Sequence, residues 1–117
     1  MLNFKELHVW KKSVGLVTLI YEVTKCFPTE ERFGLKNQMR RSAVSIPSNI
    51  AEGHMRSTNK DFGQFLAIAR GSCAELETQN EIAKELGYIN EVNYEIVLEK
   101  IESIAKMLAS LHAKVIN

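Results

Sequence analysis

The sequence predicts an all-α domain over residues 1–117, folded as an up-down antiparallel bundle of four helices. Apolar residues recur every three or four positions along most of the chain, which is the period of an α-helix, and no useful stretch alternates with the period of a strand. Loop signals divide this pattern into four segments, at about residues 5–26, 30–54, 58–86 and 91–115. Because the predicted connections are short, consecutive helices are expected to pack antiparallel.

The first segment carries two apolar stripes on different sides of one helix. The stripe expected to face the bundle core consists of Leu7, Trp10, Val14, Val17 and Tyr21. The other stripe consists of Val9, Leu16, Ile20 and Val23. A solvent-facing back would be polar, so the second stripe predicts a further packing surface on this helix.

The other three helices each have one apolar face and recognisable end signals. Thr29 is expected to cap the second helix and Gly53 to end it. Gly87 is expected to end the third in the left-handed conformation that glycine tolerates, and Asn90 to cap the fourth. The predicted core faces contain Leu35, Met39, Ala43, Ile46 and Ile50, then Phe62, Phe65, Leu66, Ala69, Cys73, Leu76 and Ala83, and finally Val97, Ile101, Ile104, Leu108, Leu111 and Val115.

Pro47 lies inside the second helix, in a polar stretch. A proline there removes one N–H donor and frees the carbonyl of Ala43, which predicts a kink eased by Ser or Asn side chains. The polar side chains around it also suggest a buried network that reaches the third helix. The candidate members of this network are Arg41, Ser45, Asn49, Glu52 and Glu75. An enzyme that uses these five residues as a polar site is the least favoured functional hypothesis.

Small and apolar residues on the outer faces of helices 1–3 predict an oligomer interface. A glycine inside a helix costs roughly 0.5–1 kcal/mol relative to alanine, so Gly15, Gly63 and Gly71 indicate close helix approach. The alternative is an ordinary scatter of exposed apolar side chains on a monomer. The candidate interface residues are Val9, Leu16, Ile20, Val44, Pro47, Ala51, Gly63, Ala67, Gly71 and Ala74.

The net charge of +1 conceals an asymmetry between the two halves of the chain. Residues 1–70 carry 11 Lys and Arg against 6 Asp and Glu, whereas residues 71–117 carry 4 against 8. A basic stripe steps by four residues along the second helix, a spacing that suits contact with phosphates. The alternative is a solvated face, or arginines paired with the acidic half. The candidate nucleic-acid-binding residues are Arg32, Lys36, Arg40 and Arg41, with Arg56, Lys60, Lys11 and Lys12 as secondary candidates.

The chain lacks the patterns of the common catalytic and metal sites. It contains no Glu-x-x-His pair, HExxH, phosphate-binding glycine loop or GxSxG. Cys26 and Cys73 have no metal-ligand spacing and are expected as free thiols. We therefore expect no enzyme, cofactor, metal or small-molecule substrate. No apolar run reaches the ~18 residues of a membrane span, so a cytoplasmic protein without membrane contact is expected.

Four segments carry a resemblance to a known family: FKELHVWKKS (4–13), FPTEERFGLKNQMRRSAVSIPSNIAEG (27–53), KDFGQFLAIARGSCAELETQ (60–79) and LGYI (86–89). The most specific elements are the Arg-Arg-x-x-x-Ser-Ile-Pro-x-Asn-Ile-Ala-Glu-Gly run and the Ala-x-Gly-Ser that follows it. Together they resemble the four-helix-bundle protein family, also called the 23S rRNA intervening-sequence protein family.

The resemblance implies a small bacterial protein without enzymatic activity, folded as an up-down four-helix bundle and able to form a homopentameric ring. The family is similar to the accessory variability-determinant protein of diversity-generating retroelements, a basic pentamer that binds nucleic acid and a reverse transcriptase. This chain departs from that protein in being nearly neutral. The expected function is an RNA- or nucleoprotein-associated accessory module, with a ribosomal association implied by the family. The alternative is a protein-interaction scaffold ring with no nucleic-acid role.

Overall fold

A computed structural model describes residues 3–117, and the first two residues of the predicted domain lie outside this range. No strand occurs in residues 3–117, so the all-α prediction is confirmed. Two short 3-10 turns, Phe4–Glu6 and Thr29–Glu31, precede the first and second helices. The four helices are α1 (His8–Thr24), α2 (Leu35–His54), α3 (Asn59–Glu85) and α4 (Glu91–Ile116).

The helices pack as an antiparallel bundle that measures 43 × 23 × 20 Å. α2 lies between α1 and α3, and α4 closes the bundle against α3 and α1. Contacts at both ends fix the directions. Gly63, near the start of α3, lies against Ile116 at the end of α4. Tyr94, near the start of α4, bonds to Glu81 near the end of α3. The end of α1 likewise meets the start of α2, and the end of α2 meets the start of α3, so the helices run up and down in chain order.

The prediction for α1 is wrong, because the core face of this helix is the stripe that was predicted to be a further packing surface. Val9, Leu16 and Ile20 are buried in the core, whereas the stripe predicted to face the core is half-buried or exposed. The true core face also contains Ser13 and Thr24, both fully buried. Each hydroxyl donates to a carbonyl of its own helix, at 2.9 Å from Ser13 and 2.7 Å from Thr24. These bonds satisfy the hydroxyls and allow their burial.

α2 begins at residue 35 rather than 30, with Gly34 and not Thr29 at its N-cap position, because residues 29–31 form a separate 3-10 turn. The chain first makes the 3-10 turn, and Glu31 Oε1 then accepts a hydrogen bond from the Leu35 N–H at 2.9 Å. Glu31 Oε2 accepts a second bond from Tyr88 Oη at 3.0 Å, which joins the start of α2 to the α3–α4 loop. Gly34 permits this approach, since a Cβ there would lie 2.6 Å from Glu31 Oε1.

α2 continues unbroken through Pro47, from Leu35 to His54. Asn49 Nδ2 donates to the carbonyl of Ser45 at 2.8 Å and not to that of Ala43, which the proline frees, so the eased kink stays a prediction. The helix ends in tight contact with α3. A Cβ at Gly53 would lie 2.6 Å from the Cβ of Phe65, so only glycine fits there without movement.

Half of the predicted oligomer interface is wrong, because those residues are buried inside the protomer. They are Val9, Leu16, Ile20, Pro47 and Gly63. Gly63 does mark a close approach, but to its own chain: a Cβ there would lie 2.7 Å from Ile116 Cγ2. The remaining candidates are partly or fully exposed, namely Val44, Ala51, Ala67, Gly71 and Ala74.

The core is otherwise apolar and built largely from the predicted faces of α2, α3 and α4. The predicted residues of α2 are all buried, as are the first four of α4. Cys73 is buried and Cys26 exposed, both as free thiols. Three polar residues of α3, Ser72, Gln79 and Asn80, are also buried, and the sequence pattern did not indicate them. Asn80 Nδ2 donates to the Tyr94 carbonyl at 3.2 Å and so links α3 to α4.

Candidate nucleic-acid interface

A basic cleft lies at the end of the bundle where α1 ends and α2 begins. Its volume is about 480 Å³. Four of its lining side chains are cations, and none is a carboxylate. The lining residues are Lys25, Phe27, Pro28, Thr29, Arg32, Phe33, Lys36, Asn37 and Arg40. The first three members of the predicted basic stripe therefore share one concave surface, here called the basic cleft.

Arg40 is bound to α1 and serves that helix as a cap. Its Nε donates to Thr24 Oγ1 at 2.9 Å, and its Nη2 donates to the Tyr21 carbonyl at 3.1 Å. Its guanidinium also lies 4.3 Å from the centroid of the Tyr21 ring. The last carbonyls of a helix lack intrahelical partners, and a cation near them is favoured by the helix dipole. Arg40 thus has a structural role at the end of α1, and phosphate contact by Arg40 stays a prediction.

Arg32 and Lys36 are the available cations of the basic cleft. Among residues 3–117, neither forms a salt bridge, and neither side chain is in a hydrogen bond. Lys25 lines the same cleft, but its Nζ pairs with Glu22 at 3.0 Å on the exposed surface. Cations that lack a carboxylate partner and share a concave surface attract anions from solution.

Arg41 and Arg56 lie outside the basic cleft. Arg41 is exposed, and being one residue beyond Arg40 it projects about 100° away around the helix. Arg56 forms a salt bridge with Glu52 at 2.8 Å, and its guanidinium lies 4.9 Å from the Phe65 ring centroid. Its charge is therefore already partnered within the protein.

The three secondary lysines are scattered over other surfaces. Lys60 lines a groove at the opposite end of the bundle, beside Gly63 and the end of α4. Lys12 lines a groove between α1 and α4, and Lys11 is exposed on α1. The eight basic residues predicted from the sequence do not form a single surface, and only the basic cleft brings several of them together.

The predicted buried network forms only in part, and without its charged members. Ser45 Oγ lies 2.8 Å from Ser72 Oγ, and Asn49 Nδ2 donates to Ser45 Oγ at 2.9 Å, which joins α2 to α3. The three charged members of the prediction are exposed: Arg41, Glu52 and Glu75. Burying a charge is costly unless it is paired, so the side chains stay in water and the network is neutral. The five-residue polar site of the enzyme hypothesis is not assembled.

Two tyrosines donate hydrogen bonds to glutamates near the basic cleft end of the bundle. The bond from Tyr88 to Glu31 raises the pKa of Tyr88, and burial adds to the shift. Tyr94 Oη donates to Glu81 Oε1 at 2.6 Å, which together with burial and nearby glutamates raises the pKa of Tyr94 to about 12. Burial, with a contribution from Glu77, raises the pKa of the Cys73 thiol to about 11. All three groups are therefore protonated at neutral pH.

In residues 3–117 no group of three His, Cys, Asp or Glu side chains is placed to hold a metal ion. None of the four helices is both long and apolar enough to cross a bilayer.

Sequence reasoning missed two residues that shape the basic cleft, Glu31 and Phe33. Glu31 builds the turn beside the cleft, and Phe33 lines it with a ring that is 83% exposed. The Arg32 guanidinium lies 5.3 Å from the centroid of that ring. The signal was present in the sequence, since an aromatic residue stands between Arg32 and Lys36 in a short loop after Pro28.

The family model for the 23S rRNA-intervening sequence protein matches residues 5–110, which is most of the chain. The chain belongs to this family. No curated protein matches it. Among solved structures, it is similar to the crystal structure of a protein with unknown function from the S23 ribosomal protein family of Bacteroides thetaiotaomicron. The two are 28% identical with a TM-score of 0.83, over 89% of this chain and 97% of that one.

The sequence motif most specific to the family is mainly architectural in this chain. Within residues 40–53, Arg40 caps α1, Ser45 bonds to α3, and Gly53 allows the close contact with Phe65. The motif therefore fixes how α2 sits between its neighbours, and the basic cleft begins where the motif starts.

Proposed function

We propose that this protein is a non-enzymatic, RNA-associated accessory module that binds phosphates in the basic cleft. The observation that carries the proposal is that Arg32 and Lys36 line the same concave surface, which no carboxylate lines. The family description adds support, because it connects this group of proteins with 23S rRNA. Arg40 contributes its charge to the cleft while its hydrogen bonds go to α1.

The charge distribution favours the same side of the bundle. The basic half of the sequence forms α1, α2 and the start of α3, whereas the acidic half forms the rest of α3 and α4. α1 packs on α2, and α3 packs on α4. The charge difference between the two halves of the sequence therefore becomes a charge difference between two sides of the bundle. A polyanion approaching such a protein is steered toward the basic side.

Binding of a short fluorescent oligouridine RNA by the double variant Arg32→Gln, Lys36→Gln tests the proposal. Within residues 3–117 neither side chain has a salt bridge or hydrogen bond to lose, so the fold should be kept. We expect affinity on the order of tenfold weaker at low salt, because two phosphate contacts are removed. The matched control is Lys100→Gln, Lys106→Gln, which removes equal charge from exposed positions on α4. Equal affinities of the two double variants would contradict the proposal.

The second candidate function is a scaffold formed by self-association, with the homopentamer of the resembled proteins as the expected ring. The specific observation is the exposed small-residue face of α3 at Ala67, Gly71 and Ala74. Gly71 sits in mid-helix with nothing within 4 Å of a Cβ placed there, so no contact inside the protomer explains the glycine. Ile68, three residues before Gly71 on α3, is 51% exposed.

Light-scattering mass distinguishes this scaffold from a monomer. A ring closed through the α3 face predicts an oligomeric mass that falls when Gly71 is replaced by a bulky residue such as Leu. A monomeric mass for the unaltered protein would contradict the scaffold. An oligomer that fails to bind RNA near physiological salt would favour the scaffold over the RNA-associated module.

A further inference from the structure

The ring of Phe33 is exposed without any role in the packing of its own chain. At 83% it is more exposed than any other large hydrophobic side chain that the structure describes. It follows Arg32 directly and lines the basic cleft together with Arg32 and Lys36. Single exposed apolar residues are common on protein surfaces, so the position of the ring among cations is what gives it meaning.

The turn that presents Phe33 is held by several bonds. The Gly34 N–H donates to the Glu31 carbonyl at 3.1 Å, and the Glu31 carboxylate binds both the start of α2 and Tyr88. Beneath the turn, the buried Phe27 ring packs against the Tyr88 ring with centroids 5.5 Å apart. The Phe33 ring is therefore presented from a fixed support, and a ligand that uses it avoids much of the ordering cost of a mobile loop.

We propose that Phe33 stacks on an unpaired base of single-stranded RNA whose phosphates are held by Arg32 and Lys36. This inference rests on the proposed function and adds the class of RNA that the basic cleft takes. An exposed aromatic face beside cations is the combination by which proteins bind single strands, because each base has a face for stacking and each linkage carries a charge. In a duplex the base faces are already stacked on one another, so the ring would have no partner.

Three substitutions of Phe33 separate stacking from simple apolar contact. Phe33→Ala removes the ring, Phe33→Leu keeps an apolar side chain without aromatic character, and Phe33→Trp enlarges the aromatic face. All three change an exposed position, so thermal unfolding should be nearly unaltered. We expect the Phe33→Ala and Phe33→Leu variants to bind oligouridine about 5- to 150-fold more weakly than the unaltered protein. The Phe33→Trp variant should keep or improve the affinity.

Two further readouts distinguish this inference from the phosphate proposal. The salt dependence of binding should be the same in Phe33→Ala as in the unaltered protein, because stacking releases no counterions. The tryptophan fluorescence of Phe33→Trp should be quenched by oligouridine and not by the same strand annealed into a duplex.

The outcomes separate the two proposals. If Phe33→Leu binds as tightly as the unaltered protein, or if duplex and single strand bind equally, base stacking is overturned. If Phe33→Ala has no effect while Arg32→Gln, Lys36→Gln weakens binding, the phosphate proposal stands and the stacking inference fails. If neither set of variants alters binding, the proposed function itself fails.

Discussion

The side chain of Arg40 on α2 donates a hydrogen bond of 2.9 Å to the buried hydroxyl of Thr24 in the last turn of α1. Thr24 Oγ1 in turn donates to the carbonyl of Ile20 at 2.7 Å, so the arginine completes a short chain of polar contacts at the end of α1. A second bond from Arg40 reaches the Tyr21 carbonyl. One side chain thereby joins two helices and forms part of the basic cleft.

Replacing Arg40 should destabilise the fold. Arg40→Ala leaves Thr24 Oγ1 and the Tyr21 carbonyl without this donor, and we expect a loss of about 1–2 kcal/mol in the free energy of unfolding. Arg41→Ala is the matched control, since Arg41 is exposed and makes no salt bridge within residues 3–117; its effect should stay within about 0.5 kcal/mol. Urea denaturation of both variants measures this. Equal stabilities would contradict the capping role of Arg40.

Two glycines in helices should respond to alanine in opposite directions. Gly53→Ala forces a Cβ to within 2.6 Å of the Phe65 Cβ, and the overpacking should cost about 1–3 kcal/mol. Gly71→Ala meets nothing within 4 Å and should stabilise the protomer by about 0.5–1 kcal/mol through helix propensity. Thermal or urea unfolding of the two variants measures whether each substitution lowers or raises the stability of the protomer. A Gly53→Ala variant with unchanged stability would contradict a tight contact between α2 and α3 at this position.

The bond between Tyr94 and Glu81 predicts a loss of stability at alkaline pH. It raises the pKa of Tyr94 to about 12, above the value near 10 of an unfolded chain. The stabilisation is therefore fully present below about pH 10 and is lost as the pH rises toward 12. Tyr94→Phe lacks this term, so its urea midpoint should lie below that of the unaltered protein at pH 8 and approach it above pH 10. A difference in urea midpoint between the two proteins that stays constant with pH would contradict the hydrogen bond from Tyr94 to Glu81.

The sequence was a good guide to the helices whose core faces are purely apolar. The α4 stripe from Val97 to Leu108 and the α2 stripe from Leu35 to Ile50 are both buried as predicted. In α1 the reading failed because the true core stripe is interrupted by Ser13 and Thr24. Periodicity counts such residues as polar, although backbone carbonyls one turn away satisfy their hydroxyls.

The candidate site was predictable in composition and not in geometry. The sequence identified Arg32, Lys36 and Arg40 as neighbours on a helix, and they do share the basic cleft. It could not show that Arg40 is bound by α1, because that contact depends on how α2 crosses the end of its neighbour. The two hydrogen bonds of the Glu31 carboxylate were hidden for a similar reason, since one of its partners, Tyr88, lies 57 residues away in the chain.

The salt dependence of RNA binding tests the phosphate role of the basic cleft most directly. For a single strand, each phosphate contact contributes about 0.7 to the slope of log Kobs against log salt concentration. The slope for oligouridine should therefore be shallower by about 1.4 in Arg32→Gln, Lys36→Gln than in the unaltered protein. The Lys100→Gln, Lys106→Gln control should keep the original slope. Identical slopes for the unaltered protein and the cleft variant would contradict RNA binding through the basic cleft.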